Sequence, residues 1–483
     1  MPLPTQVFPS VTPARRPAVV VGGGLAGLVA ADELARHDSD VCVVLPGGRP
    51  GGVLGTVHAD GWLVERSADC LLAARPEGVA LVKRLGLEHE LIGVQPVARR
   101  ALVWHAGRTL PTPAGFRLMA PGRIWPLLAS PLLSPVGRAR LAWERFVPAR
   151  PAHAGDDESL ESFAVRRLGR EAFERLVQPL AAGIWTADPA RLSMAAACPD
   201  FLAMEREHGS LWAGERARLE RATVPDAAGA RYGQFVTFAG GMETLPQRLA
   251  DDLRRRGVRF VEGTASAVAR TADGRWQVMT DAGGPLTADA VVVATPAAVA
   301  GRLLAAVDAG LAGELAAIEY AGSCIVSLGF AREQVAHPLD AAGMVIPRSA
   351  GRRILAVSFS SSKFPGRAPP GCVLMRVFIG GALDPEATAL SDDALVARAR
   401  EEVGEILGAR GEPRLTRVER WDRAMPQYHV GHLARVARIE AAAARHAGLA
   451  LAGAAYEGVG IPQVIASGQK AAAACLRRDA ASA

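Results

Sequence analysis

Near the N-terminus the apolar positions come in a block, then at helical spacing, then in a second block. Residues 17–22 are a short β-branched run, the pattern of a parallel strand buried on both faces. Gly22-Gly23-Gly24-Leu25-Ala26-Gly27 follows, and apolar residues at helical spacing continue to about residue 37. Residues 41–45 form the second buried strand. In this strand–turn–helix–strand order the glycines let backbone approach a ligand. The free N–H groups and positive dipole end of the helix then face a pyrophosphate.

The same logic returns at the other end of the chain. Residues 448–468 read as strand, glycine-rich turn and helix, with Gly460-Ile461-Pro462 at the turn. Two such turns, separated by almost the whole chain, suggest a large cofactor gripped from both ends. A flavin dinucleotide meets that demand better than a nicotinamide. Between the turns, Arg49-Pro50-Gly51-Gly52 offers another close backbone approach, and residues 97–111 read as a strand or hairpin. From about 112 to 210 proline-punctuated apolar segments alternate with Arg-rich helical stretches at 136–146 and 160–180, the texture of an inserted helical subdomain. Residues 235–300 return to α/β texture, with strands at 258–262 and 290–296 and a hairpin turning at 272–274. Alternating strands and a helix near 391–407 fill 320–440.

The expected architecture is α/β. A discontinuous Rossmann-like FAD-binding domain covers 15–93, 215–300 and 441–480. A mixed-sheet substrate-binding domain covers 94–111 and 301–440, and the helical subdomain covers 112–214. In that subdomain Trp125, Leu127, Leu128, Leu132 and Leu133, flanked by Arg123 and Arg138, make a candidate membrane-facing patch; an ordinary helical core with proline-rich loops is the equal alternative.

Composition narrows the partners. The 483 residues carry a net charge of +6, mostly from scattered arginines, consistent with solvated helix faces or with attraction to anionic lipid or a carboxylated substrate. No basic, aromatic-interleaved stripe points to nucleic acid. Six widely spaced cysteines without CxxC read as buried thiols in a reducing compartment. The ten histidines form no ligand cluster, so no metal site is expected. No signal-peptide pattern or spanning apolar run is found, and a cytoplasmic protein, peripheral at most on the cytoplasmic membrane face, is expected.

Several stretches together resemble the flavin amine oxidase superfamily, and within it the oxygen-dependent protoporphyrinogen oxidases. They are residues 20–34, Arg49-x-Gly51-Gly52, Phe238-Ala-Gly-Gly-Met-Glu-Thr-Leu245, Gln178-Pro-Leu-Ala-Ala-Gly183-Ile-Trp, Pro426-Gln-Tyr428 and Tyr456-Glu-Gly-Val-Gly-Ile-Pro462. The resemblance implies non-covalent FAD held by Gly22, Gly24, Leu25, Ala26, Gly27, Arg49, Gly51, Gly52, Gly460, Ile461 and Pro462, with Ala265 against the adenine. It implies a substrate site with Arg100 (or Arg99) on a propionate, and with Gly183, Ala342, Val345 and Ser358 on the cavity wall. Ala342 and Ser358 replace larger or more apolar groups, which implies a roomier, more polar pocket. No acid/base catalytic residue is implied, since hydride passes to the flavin.

Leu45, the segment 66–69 and Ala454, which occupies a place often held by a polar residue, depart from the resemblance. Leu45 stands where the family places an acidic residue on the ribose, and it cannot accept a hydrogen bond. Arg66-Ser67-Ala68-Asp69 replaces a Gly/Pro-rich turn beside the flavin. The expected activity is oxidation of protoporphyrinogen IX by O2 in heme synthesis. Coproporphyrinogen III as substrate, or a flavin-poor paralogue acting as a binding subunit, stands as the alternative, and a homodimer is left open.

Overall fold

The computed structural model describes residues 16–150, 157–221 and 235–477. Its first layer is a five-stranded, all-parallel sheet. β1 (Arg16–Val21) lies between β2 (Ser39–Leu45) and Ala290–Val293, with Arg259–Glu262 outside β2 and Leu449–Leu451 at the opposite edge. Both faces are covered, which explains the unbroken apolar runs. Val20, Val43 and Leu45 point to one side, where α1 (Leu25–Arg36) and helices Thr244–Arg255 and Ile461–Arg477 pack. Val19, Val21, Val44 and Val291 point to the other, onto the antiparallel strands around Trp276 and Val278 and onto helices Ala297–Leu304, Ala309–Ala316 and His432–Ala444.

The second layer is a seven-stranded mixed sheet. Its order is Leu415–Pro426, Tyr320–Ala331, Cys372–Gly380, Ala356–Ser358, Gly343–Val345, Ala101–His105 and Arg108–Pro111. One face, with Leu102, Met344, Val357 and Val377, packs on helix Asp392–Leu407. The other, with Val103, Val345, Ala356 and Phe378, faces the helical layer.

Three expected domain limits fall inside elements. Helices Ala297–Leu304 and His432–Ala444 run across the 300/301 and 440/441 limits and lie in the core of the parallel sheet. Helix Leu211–Arg221 runs across 214/215, with Leu211 in the helical-layer core. Texture changes where the chain changes composition, whereas packing follows which apolar face a helix must cover.

The expected membrane patch is corrected. Leu127, Leu132 and Leu133 are buried in the helical core, together with Phe163 and Leu176. Trp125 alone of the five is a large exposed side chain, at 78 %, and the other exposed ones nearby are Val136, Trp143 and Phe146. The Arg-rich helices are also less solvated than their composition implies. Arg167 is fully buried, bound by Glu144 and, at 3.2 Å, by Glu205. Arg140 instead caps the end of helix Leu160–Leu168 through the Arg166 and Arg167 carbonyls, at 2.7 and 3.0 Å.

Candidate active site

The first half of the site is a backbone cradle where β1 and β2 end. Gly22 turns the chain with φ +116°, and a Cβ there would lie 2.5 Å from the Ala294 carbonyl oxygen. A Cβ on Gly27 would lie 1.9 Å from the Gly22 carbonyl oxygen, so turn and helix meet only without side chains. Gly24 differs, because a Cβ there meets no atom within 4 Å. The first bond of α1 runs from the Leu28 N–H to the Gly24 carbonyl at 2.9 Å, which leaves the Leu25, Ala26 and Gly27 N–H groups without an acceptor in the helix. The Gly51 N–H donates to the Gly23 carbonyl at 2.8 Å and brings Gly51 and Gly52 against this turn.

Arg49 holds that second loop. It donates to the Leu54 carbonyl at 2.8 Å and to the Gly52 carbonyl, and pairs with Glu243 at 3.1 Å. Glu243 also accepts the Thr56 N–H at 3.0 Å. Glu65 accepts the Met242 N–H at 2.9 Å and the Thr56 hydroxyl at 2.7 Å. Burial pushes the Glu65 carboxyl up, while hydrogen bonds from Thr56, Gln247 and Arg49 outweigh burial and hold Glu243 below the usual range. Neither glutamate was an expected site residue, although Glu243 lies in the 238–245 stretch that carried the resemblance.

Gly460, Ile461 and Pro462 open the helix Ile461–Arg477. This helix crosses α1 so closely that a Cβ on Gly468 would lie 2.4 Å from the Ala26 carbonyl oxygen. The crossing joins the two ends of the chain at the cradle. Ala265 begins the strand that follows Arg259–Glu262. Leu45 is buried, with its Cδ1 2.7 Å from where a Gly23 Cβ would be, so it fills the space behind the turn. An open backbone cradle with unpaired N–H groups at a positive helix end fits the pyrophosphate of a flavin dinucleotide.

The second half is a cavity of about 370 Å³ between the mixed sheet and the helical layer. Gly183, Ala342, Val345 and Ser358 all line it, together with Phe116, Leu180 and Ile184. Arg100 does not. Its guanidinium is held by the Asp340 carboxylate and, at 2.9 Å, by the Asp340 carbonyl. Arg99 is exposed and also off the wall. The cations on the wall are Arg117 and Lys363. Arg117 is bound to Glu215 at 2.8 Å and lies over the Phe201 ring, 4.5 Å from its centroid.

Lys363 belongs to a buried charge cluster that sequence reasoning missed. Its ammonium lies 2.9 Å from Asp69 Oδ1 and 3.4 Å from Cys70 Sγ, and Arg376 lies 3.6 Å from Asp69 Oδ2. Burial alone would raise the Asp69 carboxyl, but the Lys363 and Arg376 charges hold it well below the usual carboxylate range. Burial alone would lower Lys363, and Asp69 holds it above its ordinary value. Burial pushes the Cys70 thiol up to about 12, with Asp69 adding to the effect. The turn that carries Asp69 is fastened by the Ser67 hydroxyl to the Val53 carbonyl at 2.6 Å and by the Trp421 ring N–H to the Arg66 carbonyl at 2.8 Å. The departure at 66–69 was the available signal; nothing local marks Lys363 or Arg376 as its partners.

Comparison with known proteins agrees with this geometry. The family described as flavin containing amine oxidoreductase matches residues 25–476. The chain is 33 % identical over 476 residues to coproporphyrinogen III oxidase of Bacillus subtilis (strain 168), covering 96 % of this chain and 98 % of that one. It is 32 % identical over 494 residues to protoporphyrinogen oxidase of Macaca fascicularis, covering 95 % and 98 %. A crystal structure from Exiguobacterium sp. 255-15, assigned to protoporphyrinogen oxidase, superposes with a TM-score of 0.82 at 30 % identity, covering 95 % of this chain and 98 % of that one.

Proposed function

This chain belongs to the flavin containing amine oxidoreductase family, and on that premise we propose that it oxidises a porphyrinogen to the porphyrin in heme synthesis, with coproporphyrinogen III as preferred substrate and O2 as electron acceptor. It is a FAD-dependent oxidoreductase. The observation that carries the substrate reading is the cavity wall. Small residues at Ala342, Gly343 and Ala356 leave width, and Thr112, Ser358, Arg117 and Lys363 set polar groups into an otherwise largely apolar wall. Propionates suit such a wall better than vinyl groups do. Protoporphyrinogen IX is the second reading, favoured by the likeness to the Macaca protein.

Bound at the cradle, FAD supplies the hydride acceptor. The chain supplies position. Gly24 and the N–H groups of Leu25, Ala26 and Gly27 hold the pyrophosphate, and Gly460–Pro462 close the far side. Val345, Leu180, Ile184 and Phe116 flank the macrocycle and exclude water. Asp69, kept as a carboxylate by Lys363 and Arg376, is the wall's acceptor for pyrrole N–H groups.

The exposed Trp125, Trp143 and Phe146, with Arg138 and Arg145 in the same stretch of chain, are the contact with the cytoplasmic membrane face in this reading. No helix of the described residues is long and apolar enough to cross a membrane.

The test is aerobic turnover of purified, FAD-loaded protein with each porphyrinogen, followed by porphyrin fluorescence. Higher kcat/KM with coproporphyrinogen III is expected. A higher value with protoporphyrinogen IX reverses the order, and no porphyrin from either overturns the function.

A further inference from the structure

A dinucleotide cradle of this kind ordinarily ends its second strand on an acidic residue, because the ribose hydroxyls beside the pyrophosphate need an acceptor. Here β2 ends on Leu45, which is buried and has no acceptor to offer. The neighbouring strand supplies one. Arg259–Glu262 pairs in parallel with β2, and Glu262 is the register partner of Leu45. Partners in a parallel pair project to the same face. The packing agrees, since Phe260, two residues earlier, joins the core that contains Val43 and Leu45, while Val261 joins the opposite one.

The Glu262 carboxylate reaches over the loop that leaves β2. Its Oε2 lies 2.9 Å from where a Cβ on Gly48 would be, and Gly48 has φ +66°. The strand ends are locked in this relation by the Gly263 N–H, which donates to the Leu45 carbonyl at 3.0 Å. Glu262 is exposed, and no ion pair or hydrogen bond occupies its carboxylate among the described residues. The nearby Arg259 is directed to Asp40, at 3.9 Å. The chain therefore has a free carboxylate one strand away from a position that lacks one, on the same face and at the same sheet edge.

We propose that Glu262 supplies the carboxylate that accepts the ribose hydroxyls of FAD, in place of the acceptor that Leu45 cannot provide. The inference rests on the FAD-dependent reading above and adds to it the residue that selects the adenosine half. The acidic group lies one strand across the sheet from Leu45, and the Leu45 side chain fills the space against Gly23.

The experiment measures flavin release from the holoprotein by ultrafiltration and flavin fluorescence, with FMN, which lacks the adenosine ribose, as the control ligand. Glu262→Gln keeps the shape and removes the charge. It should weaken FAD retention roughly ten- to a hundredfold, the scale of a lost charge-assisted hydrogen bond pair, and leave FMN binding unchanged. Leu45→Glu in the Glu262→Gln background should restore FAD retention. Leu45→Glu alone should fail to improve it, because two carboxylates would then face each other across adjacent strands. Wild-type FAD retention in Glu262→Gln overturns the assignment, as does an equal loss for FMN, which would mark an indirect effect. A wild-type protein that holds no FAD would overturn the flavin reading itself.

Discussion

The Lys363 ammonium lies 2.9 Å from the Asp69 carboxylate on the wall of the cavity, joining a helix of the substrate layer to the turn that follows the cofactor layer. Arg376 shares the carboxylate, and Glu65 and Arg367 lie near enough to affect the cluster's charges. This pair makes the floor of the cavity ionic although its walls are largely apolar.

Removal of one partner should expose that arrangement. Lys363→Met should cost about 3–5 kcal/mol in denaturant melts at neutral pH, because it leaves a buried carboxylate short of charge. Asp69 in the wild type has a depressed value, so its stabilising contribution is present above the unfolded value of about 3.9 and is lost only as pH falls through the folded one. In Lys363→Met burial raises Asp69, and protonation then relieves the cost. The gap between variant and wild type should therefore narrow from pH 7 toward pH 4. A gap that stays constant with pH would contradict this account.

Two glycines of one turn should fail differently. Gly24→Ala meets no atom within 4 Å, so the protein should fold with a melting temperature near that of the apoprotein yet bind FAD poorly. Gly27→Ala drives a Cβ to 1.9 Å from the Gly22 carbonyl oxygen and should destabilise the fold itself, by about 1–3 kcal/mol or more. Thermal melts and flavin content on the same preparations separate the two. Equal melting temperatures for both variants would refute the distinction.

Acid stability should carry a signature from His432. Its ring stacks on Tyr428, with centroids 4.2 Å apart, and burial pushes the imidazole down to about 4. The folded value lies below the unfolded one of about 6.5. Its contribution is therefore complete above that value and is lost as pH falls toward 4. His432→Phe keeps the stacking and cannot be protonated. It should remove up to about 3 kcal/mol of the stability lost over that window, read from melts at several pH values. An acid limb of unchanged depth would show that other groups carry it.

Membrane contact should depend on Trp125, Trp143 and Phe146 rather than on the leucines between them. Trp143 and Phe146 are 59 % and 58 % exposed and their rings lie 4.9 Å apart. Flotation with anionic vesicles at low salt should fall in Trp125→Ser/Trp143→Ser/Phe146→Ser. It should also weaken with salt, each nearby arginine contributing about 1 kcal/mol. Undiminished flotation of the triple variant would place the contact elsewhere.

The parallel strands, both glycine turns and the helices that follow them were legible along the chain, because each depends on local periodicity or on a backbone that a Cβ would obstruct. Residues 17–22 read as a strand buried on both faces, and the strand runs over Arg16–Val21, with Val19 and Val20 in different cores. The cavity residues Gly183, Ala342, Val345 and Ser358 came from the resemblance, and the fold brings them together. The pairing of Arg100 with Asp340, far along the chain, could not be read from the sequence. The same distance hid the Lys363–Asp69 pair, the burial of Leu132 and Leu133, and the carboxylate that Glu262 sets beside Leu45. Local pattern determines which segments become strands, turns and helices. Which charge meets which partner, and which apolar face is covered, is decided by packing between segments far apart in the chain, where burial and neighbouring charge set the energy of every polar group.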